Sequence, residues 1–132
     1  MVLREVLHAH LPVLTPTSTV RDAVDKMDVY QFNGLVVVDQ DHSPVGIVTE
    51  GDLARAVPSG GSISAIASQP AFAFGSKNPT CASPNMEVSD ALHRMLMSGL
   101  TLLPIVEEGR LLGVVMRMDL MQALLCDLEP AQ

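Results

Sequence analysis

The sequence predicts an α+β fold made of two tandem β-α-β-β-α units. Three observations carry the prediction. The chain repeats itself: Gly46-Ile47-Val48-Thr49-Glu50-Gly51-Asp52-Leu53 returns as Gly113-Val114-Val115-Met116-Arg117-Met118-Asp119-Leu120, 67 residues later. Upstream, Thr15-Pro16, Val20, Asp22-Ala23 and Met27 return as Ser83-Pro84, Val88, Asp90-Ala91 and Met95, 68 residues later. Within each copy, apolar residues at helical spacing give way to two short apolar runs and then to a second helical pattern. A duplicated unit sets the architecture before any single residue is interpreted. The one-residue slip between the two spacings is expected in a turn, where length changes are tolerated.

The copies divide the chain at residues 1–60 and 61–132. In the first copy, Val2 to Leu7 reads as a helical turn and His8 to Leu14 as extended. Thr19 stands three residues before Asp22, a capping arrangement, and Val20, Ala23, Val24 and Met27 follow at helical spacing. Asn33-Gly34 is expected to end that helix, since both residues tolerate a left-handed backbone. Leu35 to Val38 is a continuous apolar run, as in a strand buried on both faces. The polar turn at residues 39–44 leads to a partner strand, Val45 to Thr49, completing a hairpin. Asp52 to Val57 is expected to start the next helix, and Pro58-Ser59-Gly60-Gly61 to break it.

The second copy repeats this order. Ile63 to Ser68 is a short segment and Phe72 to Phe74 is expected to be extended. Val88, Ala91, Leu92, Met95 and Leu96 form the helical stripe. Leu103 to Val106 and Leu111 to Met116 are hairpin strands turned at Glu107-Glu108-Gly109-Arg110, and Asp119 to Leu128 is the last helix. Residues 69–82 align poorly with the first copy.

Each copy of about 60 residues is marginal as an independent core, so a shared core is expected. A hydrophobic content of 48% fits a globular chain. No apolar run approaches the roughly 18–20 residues that span a bilayer, and the start lacks the basic-then-apolar pattern of a signal peptide. A cytoplasmic location is therefore expected. The net charge of −7, with eight scattered basic residues, argues against a nucleic-acid surface. Cys81 and Cys126 form no CxxC pair, and a disulfide is not expected.

The element order and the closing Gly-h-x-[Thr/Ser]-x-x-Asp-Leu, present twice, resemble the cystathionine β-synthase (CBS) domain. Two tandem copies resemble a CBS pair. The resemblance implies a pseudo-two-fold module with two clefts between the copies, which take adenosine-containing ligands: AMP, ADP, ATP, S-adenosylmethionine or NAD(H). It implies a ligand-sensing, non-enzymatic role toward a protein target, with no required cofactor. It also implies a homodimer through the CBS helices.

By that resemblance, Thr49 supplies a hydroxyl and Asp52 a carboxylate for the ribose, Ile47 flanks the base, and Leu100 and Thr101 form the opposite wall. Lys77 is placed to reach base or phosphates. A carboxylate at a helix start accepts hydroxyls with charge-assisted strength, and helix N-terminal amides suit phosphate. The second cleft would use Asp119, Val114 and Arg117, walled by Phe32 and Asn33. There Met116 stands where Thr49 stands and brings no hydroxyl. The Asp52 cleft is therefore expected to be the better site, and the Asp119 cleft weak, altered or empty. The same Thr-x-x-Asp pattern is also a capping box, which needs no ligand.

His8-x-His10 lacks the further ligands that zinc requires. No nucleophile triad or Gly-rich phosphate loop is readable, and neither a catalytic residue nor a metal site is assigned. Met95, Met97, Met116, Met118 and Met121 all fall in the second copy, where methionine serves either as core filler or as an adaptable partner surface. The last helix carries Leu120, Met121, Ala123, Leu124 and Leu125, apolar around too much of its circumference for a lone surface helix. The runner-up reading is a structural interaction module with no physiological small ligand.

Overall fold

A computed structural model describes residues 1–127. The expected helices and hairpins are present. The first copy holds α1 (Val20–Tyr30), β1 (Gly34–Val38), β2 (Pro44–Thr49) and α2 (Glu50–Gly60). After a short α3 (Ile63–Ile66) and β3 (Ser76–Lys77), the second copy holds α4 (Val88–Ser98), β4 (Leu102–Glu107), β5 (Arg110–Met116) and α5 (Arg117–Asp127). Strands β1, β2 and β3 form one antiparallel sheet, and β4 and β5 form a second. The last residue expected in the final helix, Leu128, lies outside the described residues.

The slip in the repeat falls in the hairpin turn. Val36 pairs with Ile47 and Pro104 with Val114, so the first strands keep the spacing of 68 and the second strands that of 67. The first turn is long. Asp39 Oδ1 accepts from the N–H groups of Asp41 and Ser43, each at 2.9 Å, and His42 adopts φ 63°. The second is a two-residue turn, Glu108-Gly109, with both φ values positive at 53° and 79°. Such a turn matches the twist of the strands that it joins.

Four local expectations are corrected. Residues 72–74 lie in a 3-10 turn, Ala71–Phe74, rather than an extended segment. Residues 8–14 form no continuous strand, only isolated pairings at His8 and Leu14. The helix expected to stop at Asn33-Gly34 stops earlier, with Gln31 taking the left-handed conformation at φ 58°. Gly34 instead starts β1, tucked against Thr49. Helix α2 starts at Glu50 and runs through Pro58 to Gly60. Pro58 falls in the last turn of that helix instead of ending it.

The compact units do not follow chain order. One comprises residues 12–79; the other comprises residues 1–11 with the chain from Thr80 onward. The cause lies in the short leading segments. Ser76 pairs with Ile47 of the first hairpin, while His8, at the equivalent position of the repeat, pairs with Val114 of the second. Each leading segment thus serves the other copy's hairpin. A few residues later each returns to its own copy: Leu14 bridges Val37, and Ala82 bridges Ile105. Glycine permits both close approaches. A Cβ on Gly75 would lie 2.4 Å from Ile47 O, and one on Gly113 would lie 2.5 Å from His8 O.

Each unit has its own core, built from equivalent positions. Leu14, Val20, Ala23, Leu35, Val37, Val48 and Leu53 cluster in the first. Ala82, Val88, Ala91, Leu103, Ile105, Val115 and Leu120 cluster in the second. All five residues of β1 are buried, as its unbroken apolar run predicts. A cationic side chain ties each first helix to its own leading segment: Lys26 Nζ donates to Val13 O at 2.9 Å, and Arg94 Nη1 to Cys81 O at 3.5 Å.

Candidate functional site

The repeated Asp sits at the start of a helix in both copies, and in both it caps that helix. At α2, Thr49 is extended (φ −106°, ψ 162°) and its hydroxyl accepts from the Asp52 N–H at 3.1 Å. Asp52 Oδ2 returns the bond, accepting from the Thr49 N–H at 2.9 Å. Two amide groups that the first turn would otherwise leave unpaired are thereby satisfied. Asp52 Oδ1 accepts from Arg55 Nη2 at 2.7 Å, one turn along the same helix.

At α5 half of that arrangement persists. Asp119 Oδ2 accepts from the Met116 N–H at 2.8 Å, but Met116 has no hydroxyl to answer the Asp119 N–H. The other oxygen, Oδ1, lies 3.0 Å from His8 Nε2. The equivalent of Arg55 is Gln122, so the side chain beside the carboxylate comes from the leading segment rather than from the helix. Residue spacing gave no signal of this, because His8 and Asp119 lie far apart in sequence. Spacing pairs His8 only with His10, without the further ligands a metal needs. Among the described residues, no group of three or more His, Cys, Asp or Glu is placed to hold a metal ion.

The structure groups Ile47, Thr49, Asp52 and Lys77 in the 12–79 unit. Ile47 is half-buried in β2, bonded to β1 on one side and to Ser76 on the other. Lys77 pairs with Gly46, and its ammonium lies 5.8 Å from the Phe72 ring centroid, a cation–π distance. That ring fills the space beside Gly46, where a Cβ would come within 2.3 Å of it. Leu100 and Thr101, expected across from Asp52, belong to the other unit, where Leu100 packs against the core.

Of the second set, Val114, Arg117 and Asp119 share that other unit, with Val114 fully buried and Arg117 exposed. Phe32 and Asn33 belong to the 12–79 unit. They line an open depression of about 590 Å3 together with Val24, Met27, Glu50 and Leu53. Neither Thr49 nor Asp52 lines that depression.

The methionines split between the two roles weighed for them. Met95 is fully buried, whereas Met97, Met118 and Met121 are exposed, with Leu96 and Leu125, on α4 and α5. Cys81 is half-buried, and burial pushes its thiol above the ordinary cysteine range, away from nucleophile chemistry. No described helix is long and apolar enough to cross a membrane.

Two αβ copies, each closing on a strand that runs directly into a helix with a capping Asp, define a duplicated CBS-type module. The CBS domain family model matches residues 3–59 and 73–126, and the chain belongs to that family. It is 35% identical over 114 residues to an uncharacterized 17.7 kDa protein from Acidianus ambivalens, covering 86% of this chain and 66% of the other. It is 29% identical over 119 residues to an inosine-5′-monophosphate dehydrogenase from Methanocaldococcus jannaschii, covering 89% of this chain but 22% of that enzyme. The chain therefore spans less than two thirds of either relative.

Among solved structures, the fold matches an acetoin utilization protein (AcuB, so described as a putative one) from Vibrio cholerae at TM-score 0.85 and 22% identity, over 98% of both chains. It matches CBSX2, solved in complex with AMP, at TM-score 0.81 and 22% identity, over 97% of this chain and 98% of that one. It also matches the CBS pair of protein MJ0100, solved with 5′-methylthioadenosine and S-adenosyl-L-methionine, at TM-score 0.80 and 19% identity, over 96% and 98%.

Proposed function

We propose that this chain is a CBS-pair regulatory module that binds an adenine nucleotide or other adenosyl ligand between its copies and relays the binding to a partner protein. The observation that carries the reading is the Asp52 carboxylate, held at the start of α2 with one oxygen on the Thr49 amide and the other on the exposed side chain of Arg55. Exposed ion pairs contribute little, and the Arg55 side chain is 74% exposed, so in this reading Oδ1 exchanges Arg55 for a ribose hydroxyl. The adenosine ligands of CBSX2 and MJ0100 support this ligand class. Ile47, Thr49 and Lys77, in the same unit as Asp52, would contribute to the site. The reading is non-enzymatic, and the small share of the dehydrogenase that this chain matches gives no reason to carry over its chemistry.

In this reading the ligand acts by favouring one arrangement of the copies, and its effect on the partner is bounded by its differential affinity for the two arrangements. The exposed apolar side chains Leu96, Met97, Met118, Met121 and Leu125 favour a homodimer through the helices. Light scattering at micromolar concentration should then give twice 14.1 kDa, and a mass of 14.1 kDa alone would sink the dimer.

A second reading, an interaction module without a small ligand, draws support from the same carboxylate. Both Asp52 oxygens already have protein partners, Oδ2 in the capping box and Oδ1 in an i,i+3 ion pair, and neither needs a ligand. A thermal-shift panel with AMP, ADP, ATP, S-adenosylmethionine and NADH separates the two. A ligand present at about 100 times its dissociation constant adds about 2.7 kcal/mol. At least one ligand should raise the melting temperature of the wild type and fail to do so in Asp52→Ala. Silence from the whole panel would reject the ligand reading, and an equal shift in Asp52→Ala would move the site elsewhere.

A further inference from the structure

Helices α1 and α2 in one unit, and α4 and α5 in the other, hold equivalent places in the repeat, yet their outer faces differ. With the homodimer taken from the proposed function, we propose that it is built head to tail: the α1/α2 depression of one chain receives the α4/α5 methionine face of a second chain of this protein.

Position by position, the first face is hollow and acidic where the second is bulky, apolar or basic. At the spacing of 68, Asp28 is matched by Leu96. At the spacing of 67, Glu50 is matched by Arg117, Gly51 by Met118, Ala54 by Met121 and Pro58 by Leu125. Asp28, Glu50 and Ala54 line the depression of about 590 Å3, with Met27, Phe32 and Leu53 as its apolar lining. Leu96, Met118, Met121 and Leu125 are all exposed, and so is Arg117. Met118, Met121 and Leu125 follow one another at i, i+3 and i+7, which places them along one side of α5.

An exposed apolar group of this kind marks an interaction face, and methionine and arginine are enriched at interfaces. Orientation is decided by shape and charge. Head to head, one depression would lie over the other and leave a void, whereas interface cores pack as densely as interiors. Asp28 and Glu50 would also face the same two carboxylates of the second chain, and like charges set against each other are unfavourable. On the other unit, Arg117 would face Arg117 and bulk would meet bulk. Head to tail, Leu96, Met118 and Met121 of the second chain fill the hollow, and its Arg117 comes to the carboxylates. The remaining helix charges do not reverse this. Asp22 and Lys26 recur as Asp90 and Arg94 and favour neither arrangement. Arg21, Asp25 and Arg55, matched by Ser89, His93 and Gln122, do not line the depression.

The test is cross-linking between two single-cysteine chains, each in a Cys81→Ser/Cys126→Ser background. One chain carries Ala54→Cys, in the depression, and the other Met121→Cys, on the matching face. The chains are produced separately and also coexpressed, then treated with a short bis-maleimide. Covalent dimer should form in the coexpressed mixture and in neither chain alone. Charge reversal is the second measurement. Glu50→Arg and Arg117→Glu should each weaken dimerisation at least about tenfold, as like charges facing across an interface do. The double variant Glu50→Arg/Arg117→Glu should recover the wild-type affinity. Circular dichroism melts confirm that each variant is folded; charge reversal tests the pairing even if Met121→Cys loosens the dimer.

The head-to-tail pairing is overturned, with the dimer intact, if either single-cysteine chain alone cross-links as fully as the mixture. It is likewise overturned if folded Glu50→Arg leaves the affinity unchanged or raises it, or if the double variant recovers nothing. A wild type of only 14.1 kDa at micromolar concentration removes the dimer and the pairing with it, and leaves both faces to a different occupant.

Discussion

Thr49 offers a test of how much the capping box at α2 holds. In Thr49→Ala the hydroxyl that accepts from the Asp52 N–H at 3.1 Å is lost, while the Thr49 amide keeps its bond to Asp52 Oδ2 at 2.9 Å. Half of the box is removed. Replacing a capping Thr by Ala costs about 1 kcal/mol, within a range of roughly 0.5–2. The upper part of that range applies, because the group is part-buried and its freed amide is less easily hydrated. The methyl contributes separately, since Thr49 Cγ2 lies against Gly34, 3.4 Å from where a Cβ on that glycine would be. Thr49→Ser removes the methyl and keeps the hydroxyl. Urea unfolding followed by circular dichroism is the assay. With a slope of about 2 kcal/mol per molar urea, Thr49→Ala should lower the midpoint by about 0.5–0.8 M, and Thr49→Ser by less than half of that. Equal losses in the two variants would show that the methyl, and not the cap, holds this helix start. A shift in Thr49→Ala below about 0.1 M would show that the box contributes nothing, against the usual magnitude of a cap.

Two further outcomes follow from packing and charge. Leu103→Ala, at a fully buried position in the second core, should destabilise by about 2–5 kcal/mol, the range for such cavities; a urea midpoint close to wild type would contradict the burial. The Asp22 carboxyl is held below its ordinary value chiefly by the Thr19 backbone N–H and then by the Thr19 hydroxyl; desolvation opposes them, and Lys26 adds the least. A depressed folded-state pKa stabilises above the unfolded value and ceases to do so as pH falls through the folded value. Asp22→Asn should therefore be less stable than wild type at pH 7, and the gap should close on acidification below about pH 4, the ordinary aspartate range. A gap that persists or widens in acid would reject that assignment.

The helix starts were legible because capping is local. Thr19-x-x-Asp22 and Thr49-x-x-Asp52 announce themselves within four residues, and both boxes are formed. The hairpins were legible from apolar runs between turn residues. Local reading failed where a nearby partner overrode the expected signal. Gly34 reads as a helix stop, yet it starts β1 paired with Thr49, and Gln31 takes the left-handed position instead. Phe72 to Phe74 has strand composition, yet it forms a 3-10 turn that sets the Phe72 ring beside Gly46.

The sequence by itself determined the duplication, the order of the elements, the capping Asp in each copy and the loss of the Thr hydroxyl at Met116. These are matters of spacing and residue type, which the linear chain carries in full. Only the tertiary structure decided that His8 serves the second hairpin and Ser76 the first, that Arg55 grips one Asp while His8 faces the other, and that Met95 is core while Met97 is surface. The physical reason is that these facts depend on contacts between residues distant in sequence. Periodicity records which face of an element is apolar, but not which segment of the chain arrives to cover it.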